Sequence, residues 1–179
     1  MMRGCLAIGA SIATIVVAGC KTDATSAAAR RQTAADSAEQ VMYNARMQLA
    51  ANGVRRGEVS GASVLTLDAA SRFDFRPLQA QFTTALGRPL ASLSAPGGEY
   101  SVPRAVLETR GAVVITSDTA GRRIEARAVR YDPNRNQLSS DSAFTATSGA
   151  RTLKGVGFNT DPGLFSIKCL QRCTGSLGP

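Results

Sequence analysis

Histidine and tryptophan are both absent from this chain, and each absence closes off a set of functions. Without an imidazole there is no Ser-His-Asp or Cys-His catalysis, no histidine metal ligand and no ordinary pH switch near neutrality. With no Trp and only 5% aromatic residues, a core has to be built from Val, Leu, Ile, Ala and six Phe. Acidic residues are scarce as well: 13 Asp and Glu stand against 21 Lys and Arg, a formal net charge of +8. That balance fits an anionic partner or surface, and it equally fits arginine used to keep exposed strands soluble. Nucleic acid is not the anion implied, because the Arg residues are scattered without the aromatic platforms that reading bases requires. Long apolar runs are missing too. The stretch from Cys5 to Val17 is too short for a comfortable membrane span, and behind Arg3 it has the form of a signal-peptide core.

That stretch ends in Val17-Ala18-Gly19-Cys20, which resembles the bacterial lipobox, where small residues precede a cysteine that is lipidated and becomes the first residue of the mature protein. Residues 1–19 are therefore expected to be a lipoprotein signal peptide, and residues 20–40 a lipidated Cys20 followed by a flexible tether of Ala, Thr, Ser, Arg, Gln and Asp. The body then lies outside the cytoplasm. Acyl chains would hold it to a membrane by about 0.8 kcal/mol per buried CH₂.

The clearest pattern lies between Leu93 and Ala146, where one motif is stated twice at an offset of 31 residues. The step links Leu93 to Ile124, Ala95 to Ala126, Tyr100 to Tyr131, Leu107 to Leu138, Thr109 to Ser140 and Val113 to Phe144. Within each copy apolar and polar side chains alternate, the period of a strand with one wet face. Ala95-Pro96-Gly97-Gly98, Asp118-Thr119-Ala120-Gly121 and Asp132-Pro133-Asn134 supply the turns. The pattern reads as antiparallel hairpins in series.

Either side of the repeat the rhythm continues. Gln40 to Asn52 carries both signals: Asp36-Ser37-Ala38-Glu39 resembles a helix start, but Val41, Tyr43, Ala45, Met47 and Leu49 alternate with polar residues, and a strand is expected. Gly53 to Gly61 reads as a polar turn region, followed by short strands at Val64–Leu67, Arg72–Arg76 and Leu78–Thr83, and after the repeat at Leu153–Phe158 and Leu164–Leu170. The fold class expected is all-β, about a dozen strands over residues 41–170, with a tail at 171–179. Cys169 and Cys173 near the end are expected to form a disulfide closing a small loop after the last strand; their spacing is weak for a metal site or a redox-active pair.

From Gly53 to Leu164 the chain resembles the LptC family of lipopolysaccharide-transport proteins and, more broadly, the OstA-type β-jellyroll shared with LptA. The resemblance is carried by Ala95-x-x-Gly98-x-Tyr100, Leu107-x-x-x-Gly111-x-Val113-x-Ile115, Ala128-x-x-Tyr131-Asp132, Leu138-x-Ser140-Asp141 and Gly155-x-Gly157-Phe158-x-x-Asp161. It implies an open, twisted antiparallel jellyroll on the periplasmic side of the envelope, with neither cofactor nor metal. Such a protein takes lipopolysaccharide from the inner membrane and passes it along a bridge. Phe75, Phe82, Leu93, Leu107, Val113, Ile115, Ile124, Leu138 and Phe144 would form the lipid-binding groove, and hiding acyl surface there recovers about 25 cal/mol per Å². LptA-like and LptF/LptG-like partners would pair with the outermost strands, near Val41–Leu49 and Leu164–Leu170. Arg88, Arg122 and Arg123 would meet lipid phosphates at the groove mouth. The chain departs from the family's usual pattern in its lipobox, where a membrane-spanning helix is usual, and in its C-terminal Cys pair. A lipoprotein of the same fold that binds another lipid, or only protein, fits the same residues. Catalysis would have to use Asp132 and Asp141, which sit at ordinary turn and strand-end positions.

Overall fold

The computed structural model describes residues 39–117 and 119–177. The expected signal peptide, Cys20 and nearly all of the expected tether lie outside the described residues. The described chain is β-structure throughout: β1 (Gln40–Ala51), β2 (Val54–Leu67), β3 (Arg72–Thr83), β4 (Pro89–Ala95), β5 (Gly97–Ser101), β6 (Val106–Arg110), β7 (Val113–Ser117), β8 (Arg122–Ala126), β9 (Arg130–Asp132), β10 (Gln137–Ser148), β11 (Arg151–Thr160) and β12 (Ile167–Leu177). All the pairings are antiparallel.

The 31-residue repeat becomes two layers. In the first, β4, β7 and β8 run between Leu78–Thr83 of β3 and Phe144–Ser148 of β10. In the second, β5, β6 and β9 run between Arg72–Phe75 of β3 and Gln137–Ser139 of β10. Each copy therefore visits the layers in the same order, first, second, second, first. β4 matches β8, β5 matches β9, and β6 with β7 match the two halves of β10. The repeat's hydroxyl position has one task in both copies, which is to clasp the corner between β8 and β9. Thr109 Oγ1 donates to the Val129 carbonyl at 2.9 Å, and Ser140 Oγ donates to the Ala128 carbonyl at 2.7 Å.

β3 and β10 each serve both layers, so each changes partner midway. β3 changes at Pro77, between the segments bonded to β5 and β4, where a residue without an N–H costs no ladder bond. β10 changes at Asp141–Ser142, where its register on β11 slips. What reads as two strands, Arg72–Arg76 and Leu78–Thr83, is thus one strand with two partners on one edge. Of the expected turn region Gly53–Gly61, Val54–Gly61 is likewise strand, because Asn52 (φ 53°) and Gly53 (φ 74°) close the β1–β2 hairpin alone. Two consecutive residues at positive φ match the twist of paired strands.

Phe75, Leu78, Phe82, Leu107, Ile115 and Ile124 fill the space between the layers with Tyr131 and Leu138, each at most 1% exposed. Phe82 meets Tyr131 with ring centroids 4.6 Å apart. Outside the second layer, carboxylates are bracketed by arginines. Asp74, only 2% exposed, lies between Arg76 and Arg110, and Glu108 between Arg104 and Arg130.

Among the described residues the strands at the two ends, β1 and β12, each have one ladder partner and one open edge. Along β1 the phase of alternation flips at Asn44, which has φ 52°. Met42, Ala45, Met47 and Leu49 face the core, while Val41 and Tyr43, placed on that same face by the sequence pattern, are 43% and 76% exposed. β12 continues to Leu177, so residues 171–177 extend the sheet where the sequence reading ends it at 170. The continuation passes a bulge at Arg172 (φ 50°), across which Cys169 and Cys173 are disulfide-bonded with Cα atoms 6.0 Å apart.

Candidate functional site

The nine predicted groove residues come together. Phe75, Phe82, Leu93, Leu107, Val113, Ile115, Ile124, Leu138 and Phe144 belong to one interior cluster and are 0–4% exposed. They fill the interior against one another rather than lining an open channel. At one end, β8, the ends of β10 and β11, and β12 approach the loop between β11 and β12.

That end is a cavity of about 700 Å³. Its floor is a cross-strand row: Ala146 opposite Leu153, and Leu153 opposite Gly175. Phe165 of the loop and Ile167 at the start of β12 flank it. Two residues further out, a parallel row sets Arg122 opposite Ser148 and Ser148 opposite Arg151, so two guanidinium groups flank one serine at the rim. The cavity has an apolar interior and a cationic lip.

The loop that borders it is fixed by charge-assisted hydrogen bonds. Arg122 Nη1 donates to the carbonyls of Leu164 and Phe165, both at 2.6 Å. The Asp161 carboxylate accepts from the backbone N–H of Phe165 at 3.2 Å and of Ser166 at 2.9 Å. Leu164 is thereby held at φ 58° and buried at 0% exposure, with its neighbour Phe165 turned out at 54%. Beside the cavity the disulfide lies over Gly155, where a Cβ would meet Cys169 Sγ and the Phe144 ring. Phe144 in turn packs edge-on to Phe158 at 5.1 Å.

Of the three arginines expected at a mouth, Arg122 is there. Arg123 is on the outer face, paired with Glu125 at 2.9 Å, and Arg88 is in the exposed β3–β4 turn. Arg151, Leu153, Phe165, Ile167 and Gly175 were missed. The signal for Arg151 was the Gly149-Ala150 turn, which sets it opposite Ser148. Gly175 depends on the β12 bulge, which the sequence does not announce. Asp132 accepts from the N–H groups of Asn134 and Arg135 in its own turn, an ordinary structural task. Among the described residues no three Cys, Asp or Glu stand together as metal ligands would.

Architecture and site define an antiparallel β-jellyroll with an apolar interior and an unpaired edge at each end. No protein family matches the chain by sequence, and no curated protein does. Among solved structures it is similar to the crystal structure of LptH, described as the LptA homologous periplasmic component of the conserved lipopolysaccharide transport device from Pseudomonas aeruginosa. The TM-score is 0.51 at 9% identity, over 78% of this chain and 94% of that one. The shared property is the LptA-like jellyroll fold.

Proposed function

We propose that this protein is a lipid-anchored periplasmic component of lipopolysaccharide transport. Its apolar interior shields lipid A acyl chains and relays them between an inner-membrane transporter of LptF/LptG type and an LptA-like bridge. The observation that carries this reading is the pairing of an apolar interior with two edge strands that are unpaired among the described residues. Acyl chains need cover from water, and open edges accept a neighbour's strand by backbone hydrogen bonding. The shared fold with LptH supports it. Because the interior side chains fill their own space, cargo has to enter by parting the layers from the cavity end inward. Cys20 would carry the lipid anchor, and the disulfide would tie off β12. The chemistry is carriage, without covalent catalysis.

The filled interior also favours a second reading, in which the same fold holds a bridge together, or binds another lipid, without carrying lipopolysaccharide. A photo-crosslinking residue in place of Val113, activated in intact envelopes, separates them. Transport gives a product containing lipopolysaccharide, whereas products containing protein alone favour the scaffold.

A further inference from the structure

We propose that the tip formed by the β2–β3 and β5–β6 turns is a membrane-contact surface that settles on the phospholipid bilayer holding the N-terminal anchor. This rests on the lipid-anchored reading above and adds to it which part of the domain meets the bilayer.

The backbone of the tip is strained where its surface is apolar. Asp68 (φ 51°), Ala69 (φ 51°) and Ala70 (φ 61°) are three successive left-handed residues between β2 and β3. L residues enter that region rarely and then singly, whereas glycine enters it freely. Ala69 and Ala70 are exposed, so their methyl groups fill no space inside the fold. Glycine would relieve the turn and lose nothing from the core. Strain of this kind clusters at contact and switch sites.

The neighbouring turn adds apolar surface. Val102 N–H donates to the Ser71 carbonyl at 2.9 Å, which joins the β5–β6 turn to the β2–β3 turn. Val102 and Pro103 are exposed, with exposed Arg104 beside them. On β1, Val41 stands opposite Leu65 just before the same β2–β3 turn, and Tyr43 opposite Ser63. Three of the six large apolar side chains left exposed among the described residues, Val41, Tyr43 and Val102, are thus gathered here. Aliphatic groups with a tyrosine and an arginine match the headgroup boundary of a bilayer. Two carboxylates at the tip are engaged: Glu39 Oε1 accepts from the Ala69 N–H at 2.7 Å, and Asp68 pairs with Arg72. Neither faces anionic lipid as an unopposed charge.

The domain is also entered at this tip. The Glu39–Ala69 bond fixes the first described residue against the β2–β3 turn. Residues 21–38 cover at most about 65 Å even when fully extended, so the domain hangs from Cys20 by this tip, within that distance of the anchor.

The test uses the absence of Trp from the chain. Val102→Trp and, as control, Leu170→Trp on β12 each replace a side chain that is 47% exposed. Each full-length variant is reconstituted through its own N-terminal segment into vesicles of phosphatidylethanolamine and phosphatidylglycerol brominated on the acyl chains. Expected is blue-shifted, quenched emission from position 102 and unshifted, unquenched emission from position 170. Adding Ala69→Asn and Ala70→Asn to Val102→Trp should abolish the quenching without lowering the urea midpoint, because asparagine is polar and tolerates positive φ. If the asparagine variant fails to fold, the comparison of positions 102 and 170 still decides. No quenching at 102, equal quenching at both positions, or quenching that survives in a folded asparagine variant overturns the proposal. Co-sedimentation with the vesicles and the intact mass report the anchor separately. A chain left in solution removes the anchored reading and this one together, whereas a chain that co-sediments with unchanged emission at 102 removes only the tip contact.

Discussion

Tyr131 is 1% exposed, with its ring against Phe82 and its hydroxyl 3.4 Å from Asn136 Oδ1. Burial pushes the phenol up to about 12 from its ordinary 10, with Arg56 pulling it down and Asp132 raising it. Between those two values the folded protein keeps a proton that the unfolded chain has released. Stability is therefore at its full value below pH 10 and falls as pH rises towards about 12. Urea midpoints on either side of pH 10 should show this fall, and Tyr131→Phe should reduce it. Tyr100, also raised by burial, contributes the remainder in the same direction. An unaltered alkaline fall in the variant would assign the effect elsewhere. Phe82, at 0% exposure on the other side of that contact, should cost about 3–5 kcal/mol on truncation to Ala, read as a lowered urea midpoint at unchanged slope. A loss below 1 kcal/mol, the scale of surface changes, would mean that the interior is loosely filled.

At the scale of the element, the last strand is the one whose behaviour the residues make most specific. β12 has β11 on one side and an open edge on the other, and past the bulge its pairing resumes at Thr174 opposite Lys154. The Cys169–Cys173 bond spans the bulge and fixes the register of that last segment. Cys169→Ser with Cys173→Ser should speed amide hydrogen exchange from Thr174 to Ser176 while leaving β3 to β10 as they were. Equal protection in the variant would show that the ladder holds the segment unaided. The sequence pattern shows this strand's cysteines but neither its start, since Leu164 lies in the preceding loop, nor its length, because two apolar faces interrupted by a one-residue bulge no longer alternate. The same limit hid the phase change at Asn44 and made two strands of β3. Alternation reports which way a side chain points only while backbone dihedrals stay in the strand region. The turn at Asn52-Gly53 was legible in principle, since Asn-Gly is a strong hairpin signal, but Glu58 and the arginines nearby outweighed it.

For the molecule as a whole, the 31-residue offset was the most informative feature of the sequence, because it encodes the path between the two layers and not merely strand propensity. It accounts for seven of the nine interior residues, since repeat partners such as Leu107 and Leu138, or Val113 and Phe144, occupy matching positions in successive passes; Phe75 and Phe82 lie before it. What it left out was whether the space between them is open, which depends on how side chains from both layers interdigitate, and where the cavity lies. Charge is distributed unevenly at this scale. Asp68, Asp74 and Glu99 are paired with arginines, whereas Arg151, Lys154, Lys168 and Arg172 of β11 and β12 enter no ion pair among the described residues. Binding of lipopolysaccharide should accordingly weaken as ionic strength rises, because exposed charges are screened over about 10 Å at 0.1 M salt; salt-independent binding would remove the β11–β12 charges from the account.

In the proposed transport role the two layers would part to admit acyl chains between Phe82 and its neighbours. The chain contains no Trp, so Phe82→Trp, with its fold checked by circular dichroism, places a single indole at the centre of the interior. Its fluorescence can then be titrated with lipopolysaccharide carrying bromine on the acyl chains. Contact quenching that saturates, and is absent with the unbrominated lipid, is the result expected. Unquenched emission at lipid concentrations where binding is complete would contradict it, because the lipid would then be held without entering the interior.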